Sequence, residues 1–216
     1  MPALTIIAGP NGAGKSSFSE TLSLPDATIF DPDKSKAEIW HQYPDISDEA
    51  VEAELTRVYE RLEQKVLTER LNFTIETNLR NAFLLDRAKY FKKRRYQVNL
   101  IFMMLPSISQ SMDRVNLRIK RKGHFVDAES IKMNFEACIK QVKGFFPVIT
   151  NLLLLDASIT EHVIAEPRLV ALYRNRQLVH NDQKTQPQWI YEQVAELFTE
   201  IKTGDETIRV WRPELP

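Results

Sequence analysis

A glycine-rich stretch near the start of the chain constrains the fold more than any other feature. Gly9 to Ser16 read GPNGAGKS, which is the phosphate-loop pattern of a glycine, four residues, a second glycine, lysine and serine. The apolar run Leu4–Ala8 precedes the motif and Ser16–Leu22 has a helix-compatible composition, so the motif stands between a predicted strand and a predicted helix. Glycines let backbone N–H groups turn inward around phosphate oxygens, and the N-terminus of the next helix adds positive potential. The stretch therefore predicts a site for a nucleoside triphosphate.

The residues of this phosphate loop have separate expected roles. Lys15 reaches the β and γ phosphates, and the Ser16 hydroxyl coordinates Mg²⁺. The alternative is a glycine-rich turn with an incidental lysine, which does not explain the full motif in this context. The predicted nucleotide-binding residues of this stretch are Gly9, Pro10, Asn11, Gly12, Ala13, Gly14, Lys15, Ser16 and Ser17.

Behind the loop, strand and helix patterns alternate. Apolar runs predict further strands at Ala27–Phe30, Phe73–Ile75, Gln97–Leu105 and in NLLLLDAS. Helical periodicity or composition predicts a helix that Ser47 caps, followed by helices at Asn81–Arg95, Ser109–Lys122 and Glu129–Phe145. This alternation predicts an α/β fold, a doubly wound and mostly parallel sheet of about five strands with helices on both faces.

The pattern changes from Pro167 onward. Leu169–Tyr173 and Leu178–His180 flank RNRQ like a hairpin, Trp189–Ile201 is helix-like, and Ile208–Trp211 predicts a last strand. We predict a single domain over residues 1–216, with a core over about 1–160 and a small C-terminal extension over about 161–216.

Two aspartates follow the second predicted strand in FDPDKS, where Pro32 predicts a polar turn. Ligands of open α/β sheets bind where strands end, so carboxylates at this position can act on a bound nucleotide. We predict Asp33 as the general base and Asp31 as the metal-side partner, with either carboxylate reaching Mg²⁺ through water. A solvated turn is the alternative.

Two acidic residues compete for the metal-side or substrate-side position at a further strand end. Glu76 ends the third strand in FTIETNLRN, and Asp156 ends the fifth in LLLLD. The apolar run before Asp156 fits a Walker B element better, but the order of the strands along the chain favours Glu76. We therefore interpret Asp156 as a turn carboxylate.

A basic segment, RVNLRIKRKGH, follows the fourth strand. Arg114, Arg118 and Arg121 are spaced so that one helix face presents all three guanidinium groups, as a lid over a transferring phosphoryl group requires. A solvated basic helix or a nucleic-acid contact are the alternatives. His124 can contact phosphate or fill a structural role.

Composition excludes some classes of partner and compartment. The chain has 29 lysine and arginine residues and 29 aspartate and glutamate residues. The balanced charge therefore does not predict nucleic acid or an anionic membrane as the main partner. The single cysteine, Cys138, has no partner for an internal disulfide, and no apolar run is long enough to span a bilayer. A cytoplasmic protein without a membrane segment is expected.

Taken together, these motifs resemble the zeta toxin family of small phosphate-loop kinases, in particular its shorter, stand-alone bacterial members. The similarity covers about residues 3 to 180 and depends on the order of its motifs. They are GPNGAGKSS, IFDPDKS where the family has Asn-x-Asp, FTIETNLRN with its Glu-Thr element, YQVNLIFMML before the lid, and RVNLRIKRKGHFV where the family has two arginines before Gly-Gly-His.

The resemblance implies phosphorylation of an acceptor hydroxyl with ATP or GTP and Mg²⁺. In characterised toxins of the family the acceptor is a UDP-linked amino sugar, and an antitoxin is a candidate protein partner. By position, Lys15 and Ser16 bind phosphate and metal, Asp33 corresponds to the general base, and Arg114 and Arg118 correspond to the lid arginines. The residues placed toward the acceptor are Glu76, Thr77, Asp31, Lys122 and His124, and Arg121 is placed toward the nucleotide.

Asp31 stands where the family usually has asparagine, and Lys122 stands where it has the first glycine of Gly-Gly-His. Both departures bear on the identity of the acceptor more than on phosphoryl transfer. The small-molecule acceptor is therefore open. Two other functions also fit the motifs: a nucleotide-regulated ATPase or binding switch, and a polynucleotide kinase.

Overall fold

The computed structural model describes residues 1–120, 126–158, 166–182 and 187–199, with the backbone alone for residues 195–199. The strands are β1 (Ala3–Ala8), β2 (Thr28–Phe30), β3 (Phe73–Thr77), β4 (Gln97–Met104), β5 (Asn151–Asp156), β6 (Arg168–Arg174) and β7 (Gln177–Asn181). The helices are α1 (Lys15–Leu22), α2 (Pro32–Gln42), α3 (Asp48–Glu69), α4 (Phe83–Lys93), α5 (Ile108–Lys120), α6 (Ala128–Phe145) and α7 (Gln188–Thr199).

All seven strands join one sheet in the order β2-β3-β1-β4-β5-β6-β7. The first five strands in this order, from β2 to β5, run parallel to one another. β6 runs antiparallel to β5, and β7 runs antiparallel to β6. This confirms the predicted α/β fold with a mostly parallel sheet. The sheet has seven strands rather than about five, because the predicted hairpin extends it beyond β5.

Both faces of the sheet are buried at its central strands β1, β4 and β5, as their nearly continuous apolar sequences require. On β4, Leu100 and Phe102 belong to one hydrophobic cluster, whereas Ile101 and Met103 belong to the other. The first cluster includes buried residues of α3 and α4, and the second includes Leu22 of α1. Helices therefore cover opposite faces of the sheet. The loops that follow the parallel strands lie along the edge formed by the C-terminal ends of those strands.

The two helices between β2 and β3, α2 and α3, show how local signals set helix starts. Ser47 caps α3 as predicted, because its side chain accepts a hydrogen bond from Ala50 N at 3.3 Å. The turn predicted at FDPDKS is instead the start of α2, where Asp31 Oδ1 accepts from Asp33 N at 2.9 Å and from Lys34 N at 3.2 Å. An aspartate cap with proline in the first helical position favours a helix start over a free turn.

The C-terminal predictions are met in part. The predicted helix at Trp189–Ile201 is observed as α7 as far as Thr199, and its last two residues and the predicted strand at Ile208–Trp211 lie outside the described residues. In the part of the chain that the structure describes, no helix has both the length and the hydropathy needed to cross a bilayer.

Candidate active site

The phosphate loop connects β1 to α1 and packs closely on its surroundings. At Gly9 a Cβ atom would lie 2.3 Å from Met103 O, and at Gly12 it would lie 2.9 Å from the Cβ of Arg114. Gly12 also has a φ of 78°, a conformation that side-chain-bearing residues rarely adopt. Only glycine therefore fits at these two positions, and the loop is held against β4 and α5.

Lys15 lies at the start of α1 with its ammonium group folded over the loop. Its Nζ donates to Gly9 O at 2.9 Å, to Pro10 O at 3.0 Å and to Asn78 Oδ1 at 2.8 Å. Burial lowers the pKa of Lys15, and the negative charges of Glu76 and Asp33 oppose that shift. Lys15 thus connects the phosphate loop with Asn78, which directly follows β3. A phosphate held by the loop would contact its ammonium group.

Glu76 lies beside the loop because β3 is the neighbour of β1 and Glu76 pairs in register with Ile7. Ser16 Oγ donates to Glu76 Oε2 at 2.8 Å, and the glutamate is only 4% exposed. Burial raises the pKa of Glu76 and the charge of Asp31 adds to the rise, whereas hydrogen bonds from Ser19 and Ser16 oppose it. A buried carboxylate is therefore paired with the hydroxyl that the motif assigns to metal.

The oxygen donors of Ser16 and Glu76 fit Mg²⁺, which prefers hard oxygen ligands and takes few of them from protein when phosphates are present. Among the described residues no group of three or more histidine, cysteine, aspartate or glutamate side chains could hold a metal ion by itself. A Mg²⁺ ion at Ser16 and Glu76 would thus depend on phosphate oxygens as well, and the prediction that Asp31 or Asp33 reaches it through water stays a prediction.

Asp31 and Asp33 follow β2, which is separated from β1 by β3 alone. Asp31 is half-buried and caps α2, and its charge acts on Glu76. Asp33 is exposed in the first turn of α2, and its charge acts on Lys15. The structure therefore brings both aspartates to the same sheet edge as the phosphate loop, with Asp33 open to solvent.

Asp156 is engaged in a local ion pair. It is 3% exposed, accepts from Ser158 N at 2.8 Å and lies 3.2 Å from the guanidinium of Arg168 on β6. These contacts hold the end of β5 to its antiparallel neighbour. They agree with the interpretation of Asp156 as a turn carboxylate, and the strand order places Glu76 nearer to the loop.

The predicted lid arginines lie on α5 beside the loop. Arg114 Nη1 donates to Gly12 O at 3.3 Å, and burial lowers the pKa of Arg114 against the charge of Asp156. Arg118 is half-buried one turn further along α5, and its charge acts on Lys15. Arg121, Lys122 and His124 lie outside the described residues.

Three polar residues of the site escaped the sequence analysis. They are Asn78, which contacts Lys15, and Ser111 of α5 and Asn134 of α6, which both contact Asn11. Asn134 is 6% exposed and shares the buried side of α6 with Ile131 and Phe135. A polar residue at a buried position of an amphipathic helix is the signal that could have identified it.

With this geometry in place, comparison with known proteins decides the family. Residues 1–176 match the family profile described as Zeta toxin. The chain belongs to the zeta toxin family. The matched range contains every predicted site residue, from Gly9 to His124, so zeta toxin membership and the phosphate loop together support a kinase-type phosphotransferase that binds a nucleotide.

Relatives of this zeta toxin family member are distant in sequence. An uncharacterised protein of Haemophilus influenzae is 23% identical over 127 residues, which cover 59% of this chain and 88% of that protein. The structure of AvrRxo1-ORF1:ORF2 with ATP matches with a TM-score of 0.65 and 17% sequence identity. The match covers 97% of this chain and 66% of the AvrRxo1 chain. The PezAT toxin-antitoxin system of Streptococcus pneumoniae matches with a TM-score of 0.58 and 16% identity over 96% of this chain and 80% of its own.

These structures share the fold with the zeta toxin family member described above. The chain spans slightly less than two thirds of the AvrRxo1 chain that it matches.

Proposed function

We propose that this zeta toxin family member transfers the γ-phosphoryl group of ATP to a hydroxyl group of a small molecule, with GTP as the alternative donor. The Ser16–Glu76 hydrogen bond of 2.8 Å carries this proposal, because it sets a buried carboxylate and the motif's serine hydroxyl, two oxygen donors of the kind that Mg²⁺ prefers, directly beside the phosphate loop. Asp31 and Asp33 stand at the same sheet edge, where an acceptor can approach the donor.

In the proposed reaction, Asp33 accepts the proton of the acceptor hydroxyl as its oxygen attacks the γ-phosphorus. The bond between that phosphorus and the β,γ-bridging oxygen breaks, and ADP leaves. Exposure suits Asp33 for this role, since a general base must reach a proton on an incoming substrate.

The cationic groups stabilise charge on the phosphates during this transfer. Lys15 binds the β and γ phosphates once it leaves its carbonyl partners, and Arg114 and Arg118 face the loop from α5. Mg²⁺ bound by Ser16 and Glu76 would supply further positive charge at the phosphate oxygens.

The finer assignments rest on the family. We propose a UDP-linked amino sugar as the first acceptor to test, with Thr77 and Asp31 on the acceptor side together with Lys122 and His124. Glu76, which the resemblance places toward the acceptor, is proposed on the metal side because it contacts Ser16. Arg121 is proposed to contact the nucleotide. A cytoplasmic location and an antitoxin partner are further proposals, and the structural similarity to PezAT, a toxin-antitoxin system, supports the latter.

Tracing the γ-phosphate of labelled ATP tests the proposal. The purified chain is incubated with Mg²⁺, γ-labelled ATP and a UDP-linked amino sugar, and the products are separated by chromatography. Label in the sugar nucleotide supports the proposal. Label in free phosphate alone supports an ATPase switch, and label transferred only to an added oligonucleotide supports a polynucleotide kinase.

A further inference from the structure

A buried pair of amides joins the phosphate loop to α6. Asn134 Nδ2 donates to Asn11 Oδ1 at 2.8 Å, and the two residues are 6% and 5% exposed. They are 123 positions apart in the chain. A buried amide without a partner costs more than its hydrogen bond contributes, so each of these side chains depends on the other.

The pair belongs to a set of three contacts on the same part of the loop. Ser111 Oγ donates to Asn11 O at 2.5 Å, and Arg114 Nη1 donates to Gly12 O at 3.3 Å. Two of the contacts come from α5 and one from α6. Asn134 alone among the three holds a side chain of the loop rather than its backbone.

The loop needs such support because of its composition. Gly9, Gly12 and Gly14 all have positive φ, and glycine loses more conformational freedom on ordering than any other residue. A loop that is not held in place pays this ordering cost when it binds phosphate, whereas a preorganised loop has its N–H groups already converging.

We propose that Asn134 is a positioning residue for the donor nucleotide: through Asn11 it holds the phosphate loop in the shape that binds the triphosphate. It is not expected to touch the nucleotide. The same contact couples the loop to α6, and the segment that carries Arg121, Lys122 and His124 joins α6 to α5. This inference rests on the proposed function only in requiring that the loop binds a nucleoside triphosphate.

The chain offers a matched control in a second buried asparagine pair. Asn151 Nδ2 donates to Asn99 Oδ1, also at 2.8 Å, and Asn151 is 7% exposed. Asn151 is the first residue of β5, so it lies at the opposite end of the parallel strands from the phosphate loop. Removing either donor costs a buried hydrogen bond, but only one of them supports the loop.

Isothermal titration calorimetry with MgATP measures the effect. We expect Asn134→Leu to raise the Kd about tenfold with unchanged stoichiometry, because a lost buried hydrogen bond is worth about one factor of ten. Asn151→Leu should lower the thermal midpoint but leave the Kd within about twofold, since distant sites act independently. Destabilisation alone would lower the stoichiometry and not the affinity of the folded fraction.

A double-mutant cycle with Asn11→Ala completes the test. If the two amides act as one unit, the double variant binds MgATP no more weakly than the weaker single variant. Asn134→Ser, whose hydroxyl is too short to reach Asn11, replaces Asn134→Leu if the latter does not fold.

Three results would overturn the inference: wild-type affinity in the Asn134 variants, an equal loss in Asn151→Leu, or additive losses in the cycle. A wild-type chain that does not bind MgATP would instead defeat the proposed function, so the two failures are distinguishable.

Discussion

Ser16 and Glu76 are joined by a hydrogen bond of 2.8 Å although they are 60 positions apart in the chain. Ser16 belongs to the first turn of α1, and Glu76 is buried near the end of β3, the strand directly beside β1. The contact exists because the chain returns to form β3 on the side of β1 that faces the phosphate loop's serine. It makes the end of β3 part of the phosphate site.

Glu76→Gln should stabilise the protein at neutral pH and weaken Mg²⁺-dependent nucleotide binding. Burial raises the pKa of Glu76 above its unfolded value, so its contribution favours folding at low pH and is lost as the pH rises through the folded pKa. Glutamine keeps the shape and can still accept from Ser16, but carries no charge. We expect a gain on the order of 1 kcal/mol at neutral pH, which is about 2–4 °C in Tm for a chain of this size.

Thermal unfolding between acidic and alkaline pH measures this change. The Glu76→Gln profile should be flatter than the wild-type profile above the unfolded pKa of glutamate. Glu20→Gln, which changes an exposed carboxylate of α1, is the matched control. A lower Tm of Glu76→Gln at neutral pH would contradict the assignment of burial as the dominant cause.

Lys15→Met should weaken ATP binding while leaving the fold intact. Methionine fills a similar volume but cannot donate to phosphate, and a charge-assisted hydrogen bond contributes enough to raise the Kd about 10- to 100-fold. Fluorescence titration with a labelled ATP analogue measures the Kd, and circular dichroism checks the fold. Lys132→Met, which removes an exposed lysine from α6, is the matched control and should bind as wild type does.

Asp33→Asn should separate binding from transfer. The amide cannot accept the acceptor's proton, so we expect kcat to fall about 100- to 10,000-fold while the Kd for ATP stays near wild type. Asp48→Asn is the matched control because Asp48 is also exposed in the first turn of a helix, and it should retain turnover. Full activity of Asp33→Asn would remove Asp33 from the role of general base.

An ion pair between α3 and α4 provides a prediction about stability. Arg87 donates to Glu63 Oε1 through Nε at 2.8 Å and also contacts Oε2, and Tyr59 OH donates to Glu63 Oε1 at 2.8 Å. Arg87→Met leaves the buried Glu63 carboxylate without its cation. Because Arg87 is partly exposed, we expect a loss of about 2–3 kcal/mol, below the range for a fully buried pair.

Urea unfolding measures this loss, and a second variant checks its cause. Changing Glu63→Gln together with Arg87→Met removes both charges, keeps an oxygen acceptor for the buried Tyr59 hydroxyl and should recover most of the lost stability. If the double variant is no more stable than Arg87→Met, an uncompensated charge is not the reason for the loss.

The sequence predicted those parts of the fold and site that depend on local pattern. Gly12, Lys15 and Ser16 belong to one short motif, and the nearly continuous apolar run of β4 indicates a strand buried on both faces. The start of α2 was also encoded locally, by Asp31 and Pro32, but a turn and a capped helix share those residue types.

What the sequence did not predict depends on contacts between distant segments. The hairpin joins the sheet because β6 pairs with β5 through backbone hydrogen bonds, which leave little trace in side-chain pattern. Asn78 meets Lys15 across 63 positions, and Asn134 meets Asn11 across 123. Such contacts follow from the strand order and from how α6 packs, and neither is visible in a local window.

The central claim is phosphoryl transfer to a small-molecule hydroxyl, and mass spectrometry of a treated metabolite extract tests it most directly. The purified chain is incubated with MgATP and a bacterial small-molecule extract, with Lys15→Met as the parallel control. We predict that at least one hydroxyl-bearing metabolite gains a phosphate with the wild-type chain and not with Lys15→Met. Conversion of ATP to ADP and free phosphate without any phosphorylated metabolite would contradict the claim.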